Sequence, residues 1–262
     1  MFGKLYRRGL RKKSGELSFQ CNLCDSFCLK PMSELSREVP SCDGCGSTVR
    51  VRAIIQVLSL ELFGQSLSLN DFPKRLDIAG LGMSDWEGYA GGLAKKFAYT
   101  NTFYHKEPRM DLRNIDPQLE GKFDFVISSE VFEHIPPPVS LAFENTRRLL
   151  KPTGVLIFSA PYSKQEETVE HFPELYDYRV VETDGIRKLV NVTRSGASQV
   201  FDNLTFHGGE GSTLEMRVFS ESSLIREFQR AGFTRINIHK SPDFEHGIYW
   251  RSDWSLPMSV RI

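Results

Sequence analysis

Four of the five cysteines stand as two pairs, Cys21-x2-Cys24 and Cys42-x2-Cys45, with seventeen residues between the pairs. At that spacing two knuckles bring four thiolates tetrahedrally around one Zn²⁺. Gly44 and Gly46 allow the tight turn of the second knuckle, where backbone amides face the sulfurs. Asp25 holds the equivalent place in the first. Cys28 is left over, and a ligand set that uses it competes with this one. The alternative is a group of buried or disulfide-paired cysteines. A closed four-thiolate site is structural, so Cys21, Cys24, Cys42 and Cys45 are predicted to hold a metal without taking part in catalysis.

A second group of residues lies further along. Leu76-Asp77-Ile78-Ala79-Gly80-Leu81-Gly82 sits where a first parallel strand would run into a turn and a helix, and glycines there let the backbone approach a ligand. Downstream comes the block Phe123-Asp124-Phe125-Val126-Ile127-Ser128-Ser129-Glu130-Val131-Phe132-Glu133-His134-Ile135. A helix ending Arg147-Arg148-Leu149-Leu150-Lys151-Pro152-Thr153-Gly154 follows, and then the strand Val155-Leu156-Ile157-Phe158. In this combination the chain resembles class I S-adenosylmethionine (AdoMet)-dependent methyltransferases of the type 11-like group, over roughly residues 72–240.

That resemblance implies an α/β fold: a Rossmann-like domain with a mostly parallel seven-stranded sheet, carrying a small N-terminal four-cysteine zinc module. It implies AdoMet as cofactor, with Asp77, Gly80 and Gly82 shaping the turn around its methionine half and Ser129, Glu130 and Glu133 lining the other side. The chain departs from the family pattern twice. Ala79 and Leu81 occupy glycine places of D-x-G-x-G-x-G, so Gly80 and Gly82 fit only with a one-residue shift. Tyr99-Thr100-Asn101-Thr102 stands where an acidic residue would bind the ribose hydroxyls. Asn101 is the substitute, with a weaker hydrogen bond than a carboxylate gives. Asp111 is the candidate for the adenine side. Each of these residues, taken singly, is equally readable as an ordinary turn or cap.

Methyl transfer from a sulfonium is an in-line displacement, which requires positioning and exclusion of water more than covalent machinery. A hydroxyl acceptor needs a base, and histidine titrates in the right range. The candidates are His207, in a glycine-rich turn, then His171, then His134, each with a structural hydrogen bond as its plainer reading. The run from Cys42 to Arg52 leading into a helix resembles bacterial-type zinc-ribbon methyltransferases, several of them associated with surface polysaccharides. By that resemblance the acceptor is a sugar, nucleotide sugar or glycan intermediate. The rival reading is an RNA methyltransferase that uses the basic arm (Lys4, Arg7, Arg8, Arg11, Lys12, Lys13) with Arg50 and Arg52. A third is a non-catalytic AdoMet-binding scaffold.

These residues need elements to position them. Residues 17–48 have few long apolar runs and need a staple such as a metal. Residues 49–70 contain Val51, Ile54, Ile55, Val57, Leu58 and Leu62 at helical spacing, which predicts a linking helix. From residue 71 short apolar runs alternate with helical segments, the pattern of βα units. Strands are predicted at Arg75–Ala79, Phe97–Thr100, Phe123–Ser128, Val155–Ala160 and Arg235–His239, with helices at Trp86–Lys95, Val139–Leu150 and Glu221–Ala231. The long stretch from Tyr162 to about Phe219 reads as a lid or substrate-binding insertion, and the tail from Pro242 shows no period. With 33 basic and 33 acidic residues the chain as a whole favours neither nucleic acid nor an anionic membrane. Lacking both an apolar run of spanning length and a secretory signal, it reads as a soluble cytoplasmic protein.

Overall fold

The computed structural model describes residues 15–207 and 213–262. The basic arm up to Lys13 and most of the glycine-rich turn after His207 lie outside the described residues.

The N-terminal module is a hairpin, β1 (Glu16–Gln20) and β2 (Phe27–Pro31), followed by a loop carrying the second cysteine pair. Helix α1 (Val49–Phe63) begins where the Thr48 side chain accepts the Val51 N–H at 3.3 Å and ends at left-handed Gly64 (φ 68°). It is buried on nearly every side, from Val49, Val51 and Arg52 through Ile54, Ile55, Leu58 and Ser59. A helix buried around most of its circumference belongs to the core. It therefore does more than link: one continuous cluster joins Leu17, Phe19 and Leu35 of the module, α1, and the sheet residues Phe125, Ile127, Val155 and Ile157.

The domain that follows alternates strand and helix: β3 (Arg75–Met83), α2 (Glu87–Lys96), β4 (Phe97–Thr102), β5 (Phe123–Ser129), α3 (Ser140–Leu149) and β6 (Leu150–Ser159). An insertion holds short strands β7 (Tyr162–Ser163), β8 (Val169–Glu170), β9 (Asp177–Thr183), β10 (Ile186–Val192), β11 (Ser198–Phe201), β12 (Phe206–His207) and β13 (Thr213–Leu214). Then come β14 (Arg217–Ser220), α4 (Glu221–Arg230), β15 (Arg235–Ile238) and β16 (Met258–Arg261).

The central sheet has the order β15-β16-β6-β5-β3-β4. β4, β3, β5 and β6 are parallel, while β16 runs antiparallel between β6 and β15. This corrects the expected seven-stranded sheet to six strands among the described residues. The seventh has no room: residues 103–122 between β4 and β5 contain Pro108 and Pro117 and are too few for two crossovers and a strand between them. Side chains alternate across the sheet as a pleat requires. Phe125, Ile127, Val155 and Ile157 face the α1 side, and Val126, Leu156, Phe158, Met258 and Val260 face a cluster completed by α3 and α4. On that second side the Phe132, Phe143, Phe158 and Phe228 rings meet edge to face with centroids 4.8–5.2 Å apart. Such pairs add about 0.5–1.5 kcal/mol each beyond area burial.

The insertion folds on itself as a three-stranded antiparallel sheet, β11-β10-β9, over a small cluster of Phe172, Leu189, Leu214 and Met216. Its anchor is Arg217, fully buried. The Arg217 guanidinium donates to Glu170 at 2.7 Å and to the carbonyls of Ile135 at 2.6 Å and Phe132 at 3.1 Å, fixing the segment that carries Glu133 and His134. No helix among the described residues is long and apolar enough to cross a membrane.

Candidate functional site

The two knuckles repeat one geometry. The N–H of Asp25 donates to the Cys21 carbonyl at 2.9 Å, and that of Gly46 to the Cys42 carbonyl at 2.9 Å. Both residues are left-handed, at φ 60° and 73°, a conformation that Asp tolerates better than most side chains. Gly44 matters for space: a Cβ there would lie 2.1 Å from Ser26 Oγ and 3.2 Å from Cys24 Sγ. The sulfurs of Cys21, Cys24, Cys42 and Cys45 lie within 4.8 Å of one another. Cys28 Sγ is 3.8 Å from Cys42 Sγ, at the rim of this group. Burial pushes the Cys21 thiol up to about 12. Burial acts the same way on Cys42, but the N–H groups of Cys45 and Gly44 and the neighbouring thiols outweigh it and bring Cys42 down to about 6.

A cavity of about 1090 Å³ opens at the carboxyl ends of the parallel strands. Its wall is built from Met83–Trp86 after β3, Thr102–His105 after β4, Met110–Arg113, Ser129–Val131 after β5, and Glu215 and Met216 of the insertion. This crevice is where open α/β sheets bind ligands.

The turn after β3 lies later in the chain than the glycines suggested. β3 runs through Gly80 and Gly82 to Met83, and the turn is Ser84-Asp85-Trp86, with Ser84 left-handed at φ 57°. Gly80 and Gly82 point to one face of the pleat. There a Cβ would lie 2.1 Å from the Phe125 ring and 2.0 Å from the Tyr99 hydroxyl, respectively, so these glycines make room for two stacked aromatic rings within the sheet. Asp77 is exposed and paired with Arg75 at 2.6 Å, well before the strand's end. Asn101 clips the turn, accepting the Asp85 N–H and donating to the Asp85 carbonyl, each at 2.9 Å. Asp77, Gly80, Gly82 and Asn101 are all absent from the cavity wall. Asp85, which sequence reasoning missed, is buried and accepts the Tyr99 hydroxyl at 2.5 Å, and burial raises its carboxyl to about 7.

Asp111, Ser129, Glu130 and His134 do line the cavity. Glu130 follows β5 in a left-handed conformation (φ 56°). Arg37 of the module forks onto it, with Nη2 to Oε1 at 2.6 Å and Nη1 to Oε2 at 3.1 Å, while Ser159 Oγ donates to Oε1 at 2.8 Å. Arg50 of α1 donates to Ser129 Oγ at 2.6 Å and forks onto Glu38. Burial opposes ionisation of Glu130, yet Arg37 and Arg50 hold its carboxyl below the usual range. Nothing in the spacing of Arg37 marked it for this contact. Arg52, named for RNA binding, is fully buried and donates to Ser41, Ser47 and Gly247, so it reaches no external phosphate.

The three predicted histidines converge. His171 Nε2 is 2.8 Å from Glu215 Oε1, and His207 Nε2 is 2.9 Å from Glu215 Oε2. The His207 and His134 rings meet edge to face at 5.0 Å. His134 and His207 face the cavity, while His171 sits behind Glu215. Burial lowers His134 below the usual imidazole range. Glu133 lies behind the wall, fully buried, and burial raises its carboxyl well above the ordinary range.

Comparison with curated proteins finds no match. Among solved structures, the chain is similar to 1,6-didemethyltoxoflavin-N1-methyltransferase of Burkholderia thailandensis, at 16% identity over 80% of this chain and 77% of that one, with a TM-score of 0.42. It is also similar to a sugar N-methyltransferase of a Streptoalloteichus species, at 13% identity over 83% and 90%, with a TM-score of 0.46. A methyltransferase from Clostridium acetobutylicum gives 13% identity over 70% and 83%, with a TM-score of 0.42. The family described as methyltransferase domain matches residues 73–238, from the foot of β3 through β15. That match spans more than half of the chain, and the protein belongs to the methyltransferase domain family.

Proposed function

We propose that the protein uses AdoMet to O-methylate a sugar, nucleotide sugar or glycan intermediate, and that its four-thiol cluster holds a structural Zn²⁺. The observation that carries the reading is the cavity at the strand ends with an imidazole–carboxylate cluster on one wall.

The residues present suit both groups. A cavity of about 1090 Å³ takes a cofactor of this size with space left for an acceptor. Trp86, Phe103 and Tyr104 offer rings to an adenine, and Asp111, Ser129 and Glu130 offer polar contacts. When bound, AdoMet supplies an electrophilic methyl group on a sulfonium. The thiol pairs Cys21–Cys45 and Cys24–Cys42 have sulfurs 3.7 and 3.6 Å apart. The edge of a tetrahedron with Zn–S bonds of 2.3 Å is about 3.8 Å.

The chain's own residues supply three things. The aromatic wall excludes water. The fork from Arg37 holds Glu130, and with it the peptide that follows β5, against the cavity. The pair His207–Glu215 takes the acceptor's hydroxyl proton, with Glu215 stabilising the imidazolium and His171 fixing Glu215 from behind.

The test is calorimetry of AdoMet on zinc-containing protein, followed by transfer of labelled methyl groups to pools of nucleotide sugars, glycans and RNA. Micromolar binding and label in the sugar pool support the reading. Label in RNA replaces the acceptor class, and binding without transfer to any pool would leave a cofactor-holding scaffold.

A further inference from the structure

The carboxylate of Glu133 is fully buried, and neither of its oxygens has a hydrogen-bond partner. Leaving such a group unpaired costs several kcal/mol, so the surroundings must offer something that the hydrogen-bond network does not. What faces it is a pair of imidazoles. His134 Nδ1 is 3.0 Å from the Leu214 carbonyl. A carbonyl only accepts, so Nδ1 carries the proton and Nε2 is left with its lone pair. That Nε2 lies 3.7 Å from Glu133 Oε1. One ligand atom each from Glu133, His134 and His207 lie within 4.8 Å of one another. Both imidazoles are held from outside the group, His134 by the Leu214 carbonyl and His207 by Glu215 at 2.9 Å, as the outer contacts of metal-binding histidines are.

We infer that Glu133, His134 and His207 form a binding site for a divalent first-row transition-metal ion, distinct from the four-thiol cluster. Two imidazoles and one carboxylate suit manganese, iron, cobalt or zinc, and leave coordination positions free. Because His134 and His207 line the cavity, those positions face the space where an acceptor would lie. The ion's part in catalysis rests on the methyltransferase reading, whereas its binding does not. With an ion held there, His207 serves as its ligand instead of as the base, and the ion activates a bound hydroxyl as a Lewis acid. Glu215 takes the proton in place of His207, while the acceptor oxygen takes the methyl group and the sulfur–carbon electron pair returns to sulfur.

The test is titration of full-length protein carrying a single zinc per chain, in the four-thiol cluster, with Mn²⁺, followed by electron paramagnetic resonance, and in parallel with Co²⁺, followed by absorption. Wild type is expected to take up one ion per chain, with cobalt giving the weak visible bands of nitrogen and oxygen ligands and no intense sulfur-to-cobalt band. Glu133→Gln and His207→Gln are each expected to weaken binding at least tenfold. The His207 side chain is 40% exposed, so its replacement leaves the core intact and keeps the test informative should the buried Glu133 variant misfold. Failure of both ions to bind folded wild type at millimolar concentration, or binding untouched by His207→Gln, overturns the site. Because binding is read without any methyl acceptor, this result is independent of whether AdoMet or the sugar class is right.

Discussion

Two polar clusters stand in this molecule, and they are built on opposite plans. The four thiols sit between the β1–β2 hairpin and α1 beside Ser26 and Ser47, with Cys21 and Cys42 buried and Cys24 and Cys45 partly exposed. The imidazole–carboxylate cluster stands on a cavity wall, with His207 partly exposed. Four thiols that face one another leave an ion no free coordination position and can only hold their surroundings together, whereas a cluster with an open side can exchange protons or ligands with what enters. The pair teaches that cysteine and histidine content alone says little about chemistry, and that access decides it.

Breaking the closed cluster has the largest expected effect. Structural zinc in small modules contributes on the order of 10 kcal/mol to folding. Cys42→Ser, or a strong chelator, is expected to abolish cooperative thermal unfolding of the module and α1 together, because they share one core. An unchanged melt after complete removal of zinc would show that the thiols are not a staple.

The open cluster behaves differently under the same treatment. His207→Ala and Glu215→Gln are each expected to lower methyl transfer by roughly 10²–10⁴-fold, the usual contribution of a positioned acid or base. Melting temperature and AdoMet affinity should barely move. A parallel fall in stability would make the cluster another structural one and remove the contrast.

The bridge between the two regions gives a smaller effect. Arg37→Ala strands the Glu130 carboxylate and is expected to cost about 2–3 kcal/mol in urea unfolding, discounted for partial exposure of the pair. Adding Glu130→Gln should recover part of that loss. Full additivity of the two changes would mean that the fork contributes nothing.

The last effect is one of pH. Burial lifts the Asp85 carboxyl to about 7 from an ordinary value of 3.8. Its favourable contribution is therefore complete below about pH 4 and is lost as pH rises through about 7. The stability difference between wild type and Asp85→Asn should shift against wild type across that interval. A difference independent of pH would show that Asp85 titrates normally.

Much of this was legible in the residues. The cysteine spacing named the four thiols that meet, and the block from Phe123 to Ile135 placed a strand and its carboxyl end correctly. The glycines misled for a definite reason: alternate glycines in a strand and glycines in a turn have the same spelling. Only the rings of Tyr99 and Phe125, brought alongside by sheet pairing, show which of the two this is. Arg37 and Glu215 were invisible because their partners are 93 and 44 residues away. β16 escaped notice because four residues, Met-Ser-Val-Arg, are too short to display a period. The insertion was read as a lid or substrate-binding segment without its strands, since β9, β10 and β11 are largely exposed and β7 and β8 are two residues each and pair with the distant β14.

The position of β16 bears on how the chain is made. β6 has β16 as its outer neighbour, and β15, although earlier in sequence, reaches the sheet only through β16. During synthesis the ribosome therefore releases β6 and β15 well before the strand that joins them. Until Met258–Arg261 arrives, β6 presents an unpaired apolar edge, the kind of surface that recruits strands from other chains. A translation product halted before Met258 should consequently be a substrate for chaperones or an aggregate, even though it already contains every residue of the cavity wall.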